Sequence, residues 1–310
     1  MRFLHPLPWL CASFCLAMPL AAQQSSPPPP SEEGQSVTVT GEREATEAER
    51  RREASRFFDT HAVRTRIGQL ARWHRPICVR TGGLPPALGA RVATRIMDIA
   101  DGLGIPTNRA ERCAPNVRIG FTAEPEAMMA RAVRRNPQVI GFHYVARREE
   151  TMRIRQPVQA WYVTSTMAPL GSGRMDPEGY RPEVVDQAGV RAPGGAAGSR
   201  LGNGIASGLT HVLILADTRI VAGAEADAIA ELLAYLAFAQ TPVAEGCDAT
   251  DTILNLMNPA CPPERRPTAL TRQDIAWLRA LYSVDPTWGP QQQRGTVVLN
   301  MADRLGDGER

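Results

Sequence analysis

The sequence predicts an α+β (or α/β) domain, built as a mixed sheet with a central helix and a closing C-terminal helix. Three observations predict it. A strand–helix–strand run occupies 76–122, an unbroken apolar strand at 209–217 leads into a helix at 225–240, and helices follow to the end. Strands first and helices last, with no internal repeat, is the order of an α+β or α/β sandwich.

The chain begins MRFLHPLPWLCASFCLAMPLAA, with Arg2, an apolar run from Leu7 to Leu20, and small residues at Ala21 and Ala22. This reads as a secretory signal peptide over 1–22, too short and too proline-broken to anchor a membrane. An exported protein, periplasmic or extracellular and without a transmembrane segment, is therefore expected. Four cysteines then remain, Cys78, Cys113, Cys247 and Cys261. An even number in an oxidising compartment favours disulfides over metal binding or catalysis. Of the three possible pairings, 78–113 and 247–261 are expected, because each pair brackets a short local unit. No C-x-x-C is present, which removes a redox motif and a zinc ribbon.

All 35 basic residues are arginine, set against 32 acids for a net charge of +3. Arginine suits phosphate or carboxylate recognition, but a GC-rich coding bias accounts for the missing lysine, and this spread is no nucleic-acid footprint. Residues 23–55, proline-rich and then densely charged, are expected to be a disordered arm. A single globular domain is expected over 56–288, with a glycine-rich loop at 169–208, and a flexible tail over 289–310.

PICVRTGG (76–83) alternates like a strand and stops at glycines. In 86–104, Leu88, Val92, Ile96, Ile99 and Leu103 recur every three to four residues, and Gly104 ends the helix. NVRIGFT (116–122) is a strand, and EPEAMMARAVRRNP a helix with acids first and arginines last. PVQAWYVTST (157–166) and LTHVLILAD (209–217) are strands, the second apolar enough for burial on both faces. A helix at 225–240, a short helical piece near 251–257 and a last helix complete the order.

The last helix, LTRQDIAWLRALYSVDP, starts with a capping box, Thr271 to Asp274. Its stripe is Ile275, Leu278, Leu281 and Tyr282. This segment resembles the closing helix of matrixin-type metalloproteases of the metzincin group, of pattern L-[ST]-x-x-D-[IV]-x-x-[IL]-x-x-L-Y. Upstream, NLMNP (255–259) holds Met257 in a turn and resembles the methionine turn of that family, L-M-Y-P. The order of elements also suits a zincin architecture. The resemblance covers about 75 residues by motif and about 200 by element order.

The family holds zinc through H-E-x-x-H-x-x-G-x-x-H on its central helix, with the glutamate polarising water. Laid on AELLAYLAFAQ (230–240), that spacing matches Glu231 to the general base. Ala230 and Ala234 then stand for the first two histidines, Ala237 for the glycine and Gln240 for the third ligand. Alanine coordinates nothing, so no metal and no cofactor is expected. Past the signal, the histidines are His61, His74, His143 and His211, none of them an i,i+4 pair. No G-x-S-x-G or Walker lysine occurs, the glycines of 198–208 read as a loop, and adjacent acids such as Glu149–Glu150 read as surface charge.

The resemblance implies a scaffold that keeps a groove between sheet edge and central helix. Non-catalytic binding of a peptide, protein or cell-envelope partner is its expected use, with Tyr235, His211 and His143 as groove contacts. Glu231 is expected to persist as structure, paired to an arginine. Two alternatives stand beside this one: a secreted hydrolase with a non-standard metal or catalytic site, and an envelope interaction protein acting through its N-terminal arm.

Overall fold

The computed structural model of the protein describes residues 45–141, 145–167 and 204–307. In chain order it holds α1 (Glu47–His61), β1 (Val79–Gly82), α2 (Pro86–Gly102), β2 (Val117–Thr122), α3 (Pro125–Arg135) and α4 (Val145–Met152). Then follow β3 (Val158–Met167), β4 (Ala206–Asp217), α5 (Thr218–Val221), α6 (Ala226–Phe238), α7 (Arg272–Ser283) and α8 (Pro290–Asp307). This is an α+β fold. The strands and helices expected from 76 to 135, and the two later strands, stand within a few residues of their expected bounds.

The sheet order is β1-β2-β4-β3. β1, β2 and β4 run parallel, and β3 pairs antiparallel with β4 along the edge. The parallel pairs need crossovers, which α2 and the long path from β2 to β4 supply. β4 is covered on both faces, Val212, Ile214 and Ala216 packing on one and Leu213 and Leu215 on the other, which is why its sequence is a continuous apolar run. One sheet face carries the main core: Val117, Ile119, Val212, Ile214 and Ala216 pack with α2, α6 and α7. On the other face Trp161, Leu213 and Leu215 pack beneath Met129 and Val133 of α3.

Both expected disulfides are formed, Cys78–Cys113 with Cα atoms 6.1 Å apart and Cys247–Cys261 with 4.7 Å. The first closes the β1–α2–β2 unit. The second closes the stretch that contains Met257. Among the described residues no helix is long and apolar enough to cross a membrane.

Three expected boundaries are corrected. The arm expected to be disordered to residue 55 is helical from Glu47, begun by a capping box between Thr46 and Glu49. Its charge density conceals a stripe of Ala54, Phe57, Phe58 and His61, all buried. The tail expected to be flexible from 289 is α8, which buries Val297, Met301, Ala302 and Leu305. Gln293 pins it: its Oε1 accepts the Leu70 N–H at 3.0 Å and its Nε2 donates to the Pro286 carbonyl at 3.0 Å. Lastly, residues 206–208 belong to β4 and not to the preceding loop. The signal peptide, the arm before residue 45 and the loop up to residue 203 lie outside the described residues.

Candidate functional site

α6 is the central helix, and eleven of its residues from Ala228 to Phe238 are buried. Ala230, Ala234 and Ala237 are completely buried in the main core, where small side chains let the helix approach its neighbours closely. Its C-terminal carbonyls, left without partners inside the helix, are satisfied from elsewhere. Trp73 Nε1 donates to Ala237 O at 2.8 Å and the Tyr282 hydroxyl to Phe238 O at 2.8 Å.

Glu231 is held on both carboxylate oxygens. Arg95 of α2 pairs with Oε1, and the Leu270 backbone N–H donates to Oε2 at 2.6 Å. One turn earlier Arg91 grips Asp227 with two bonds, at 3.1 and 2.7 Å. The glutamate is thus a tie between α2, α6 and the start of α7. The expectation of an arginine partner is met by Arg95.

Asp274 of α7 ties the closing helix to the turn that precedes Met257. It accepts from Thr252 Oγ1 and Ile253 N, each at 2.7 Å, besides the cap bonds from Thr271. Burial pushes its carboxyl up to about 6, although these donors favour the ionised form. Asp248 behaves in the opposite way. Burial opposes its charge, but bonds from His61 and Thr250 outweigh it and bring the carboxyl down to about 2.

A pocket opens on the remaining side of α6. It is lined by Val158 and Ala160 of β3, Leu232 and Leu236 of α6, Pro242 and Val243 just beyond it, and Leu254, Met257 and Asn258 of the disulfide-closed stretch. Gln156 Nε2 donates to Ala244 O at 2.6 Å and so ties strand and loop across one end. The cavity volume is about 50 Å³, about a third of the roughly 150 Å³ that holds benzene. It admits a small aliphatic side chain.

Beside the pocket runs the outer edge of β3, the last strand of the described sheet. Asp217 N bonds Pro157 O at 2.8 Å, so the bonded pairs to β4 fall at 157, 159 and 161. The backbone groups of Val158, Ala160 and Tyr162 then turn outward. Among the described residues no hydrogen bond engages them. The strand VQAWYVTSTM has neither a charged residue nor a proline, the devices by which edge strands are kept from pairing.

The residues expected to form the site are only partly brought together. Met257 does line the pocket. Ala230, Ala234 and Ala237 do not, because at 100° per residue they lie across the helix from Leu232 and Leu236. Tyr235, expected as a groove contact, is corrected: it is completely buried, edge-on to His61 with ring centroids 6.5 Å apart. Gln240 is half-buried with Oε1 enclosed. His211 alternates with Val212 and therefore faces the α3 side of the sheet, across it from Glu231. A metal shared by those two is sterically impossible. His143 lies outside the described residues, and among them no three His, Cys, Asp or Glu side chains converge.

The residues missed were Leu232, Leu236 and Pro242. The available signal was the helix end: the pattern's glycine marks where the chain turns away, and that point is Ala239, the C-cap of α6, not Ala237. No protein-family model, curated protein or solved structure matched the chain.

Proposed function

We propose that this protein is an exported, zincin-like scaffold without zinc ligands that binds an extended peptide. The peptide pairs with the outward edge of β3 and inserts one small apolar side chain beside Met257. The observation that carries the reading is the juxtaposition of an uncharged strand edge, unpaired among the described residues, with an apolar pocket. Main-chain bonds supply affinity in strand addition, and the pocket supplies selectivity.

In this reading the family's ligand pattern falls two residues later than the glutamate suggests. Starting at Leu232, it places the second histidine at Leu236, the glycine at Ala239 and the third histidine at Pro242. These three ligand positions all line the pocket with Met257, which supports the later register. Leucine and proline there leave an apolar wall where a metal would sit. Two disulfides fit an oxidising compartment, in keeping with export.

The test is selection from a random decapeptide display library against the full chain. Peptides rich in β-formers with one recurring Val or Ala position are expected. Leu236→Glu should abolish their binding, and so should N-methylation at alternate peptide residues. Selected peptides indifferent to both changes would sink the proposal.

A further inference from the structure

The face of the sheet opposite α6 is covered unevenly. α3 packs over β4 and β3, where Met129 and Val133 meet Trp161, Leu213 and Leu215. Among the described residues no helix packs over β1 or the Val117–Ile119 end of β2 on this face. Arg80 of β1 and Arg118 of β2 are register partners in the parallel pair, and both are exposed. Their neighbours Val79, Val117 and Ile119 point into the main core, so the two arginines stand side by side on the open face.

The flank of α3 adds to them. Met128 approaches Gly120 so closely that a Cβ there would lie 2.6 Å from its Sδ, which fixes the side of α3 that faces β2. At 100° per residue, Arg131 and Arg135 follow Met128 around the helix, away from Met129 and Val133. Both are exposed. Among the described residues no ion pair engages Arg118, Arg131 or Arg135, and Arg80 donates only to the Glu111 carbonyl, at 2.9 Å. No acidic residue occurs between Glu126 and Glu149. Like charges directly opposite each other on neighbouring strands destabilise a sheet, so this arrangement costs the fold something.

We propose that this open half-sheet, floored by Arg80 and Arg118 and walled by Arg131 and Arg135, is a docking surface for an acidic segment of a partner protein. Guanidinium groups bind carboxylates in a planar, bidentate way. A membrane surface fits less well, because among the described residues none of the exposed large hydrophobic side chains, Leu88, Ile220, Val243, Ile275 and Leu299, lies on these elements. Interfacial binding needs such anchors beside the charge. Next to the patch, burial first and the Arg118 charge second hold the His211 imidazole down at about 4.

The full chain is titrated with fluorescein-labelled decaglutamate and followed by anisotropy at low salt and at 0.5 M NaCl. Saturable binding that weakens with salt is expected. Arg118→Gln with Arg131→Gln should weaken it about tenfold. Arg52→Gln with Arg56→Gln removes the same charge from exposed positions on α1 and should change it less than about twofold. Equal loss in both double variants, or no binding at all, overturns the proposal. So does tighter binding of phosphatidylcholine–phosphatidylglycerol vesicles or of oligo-dT than of decaglutamate.

Discussion

Glu231 Oε2 accepts the backbone N–H of Leu270 at 2.6 Å, and this bond decides what the glutamate is for. A residue matched by sequence to a catalytic base fastens the segment leading into α7. Replacing Glu231 by Ala strands the half-buried Leu270 N–H and unpairs Arg95, at a cost of about 2 kcal/mol. Glu231→Gln keeps an acceptor for Leu270 and loses only the pairing to a half-exposed arginine, about 1 kcal/mol or less. Urea unfolding of both variants checks this; a neutral Glu231→Ala would remove the structural role.

Asp248 and Asp274 give the stability curve opposing slopes. Asp248 is near 2 in the folded state against 3.8 in the unfolded chain, so its stabilisation is present above 3.8 and is lost as pH falls towards 2. Asp274 is near 6 against 3.8, so stability declines as pH rises from 3.8 through 6. Each is worth about 2–3 kcal/mol at 1.36 kcal/mol per pKa unit. Denaturation from pH 2 to 7 should show Asp248→Asn flattening the acid limb and Asp274→Asn flattening the fall between 4 and 6. Interchanged effects would contradict the assignment.

The two disulfides should separate stability from binding. By the chain-entropy account the Cys78–Cys113 loop, spanning 35 residues, stabilises by roughly 4 kcal/mol, and the 14-residue Cys247–Cys261 loop by roughly 3 kcal/mol. Only the second contains Leu254, Met257 and Asn258 of the pocket. Cys247→Ser with Cys261→Ser should therefore weaken the selected peptides more than loss of the other bond, although it costs less in melting temperature.

Metal grafting distinguishes the two registers. Leu232→His, Leu236→His and Pro242→His together should create zinc affinity measurable by calorimetry. Ala230→His, Ala234→His and Gln240→His put two imidazoles into a completely buried core and should destabilise the fold without gaining zinc. Wild type dialysed against zinc should retain far less than one equivalent. Zinc bound by the second triple variant and not the first would restore the earlier register.

Truncation after Trp288 tests the corrected tail. Removal of α8 exposes Val297, Met301 and Leu305 partners and leaves Leu70 N–H without Gln293. Circular dichroism should show an unfolded or molten chain; retention of the native melting transition would return α8 to the status of an appendage.

Much of the fold was legible because each strand and helix carries its own period and stop signal, as in Val92, Ile96 and Gly104 of the first crossover. α1 and α8 were hidden, since charged or polar residues outnumber a narrow buried stripe that means nothing until another helix covers it. The site was half legible. Met257 stood out by its turn, whereas Leu232 and Leu236 look like any core leucine, and which side of α6 meets β3 depends on tertiary packing. Glu231 misled the register because a buried glutamate invites a chemical reading, and its acceptors' partners, Arg95 and Leu270, are 136 and 39 residues away.

α1 and α8 lie antiparallel: Arg294 bonds Ser55 and Asp59 at 3.0 Å, while Arg50 meets Gly306 at the far end. The first and last described turns of the chain are therefore neighbours. A circular permutant that joins residue 307 to residue 46 through a few glycines would respect every packing contact on either side, and new ends could be opened at another surface connection, such as that between α5 and α6. The same closure means that a pulling force applied at residues 46 and 307 would first peel α1 and α8 apart from that end, leaving the sheet and its pocket unloaded until that clasp gives way.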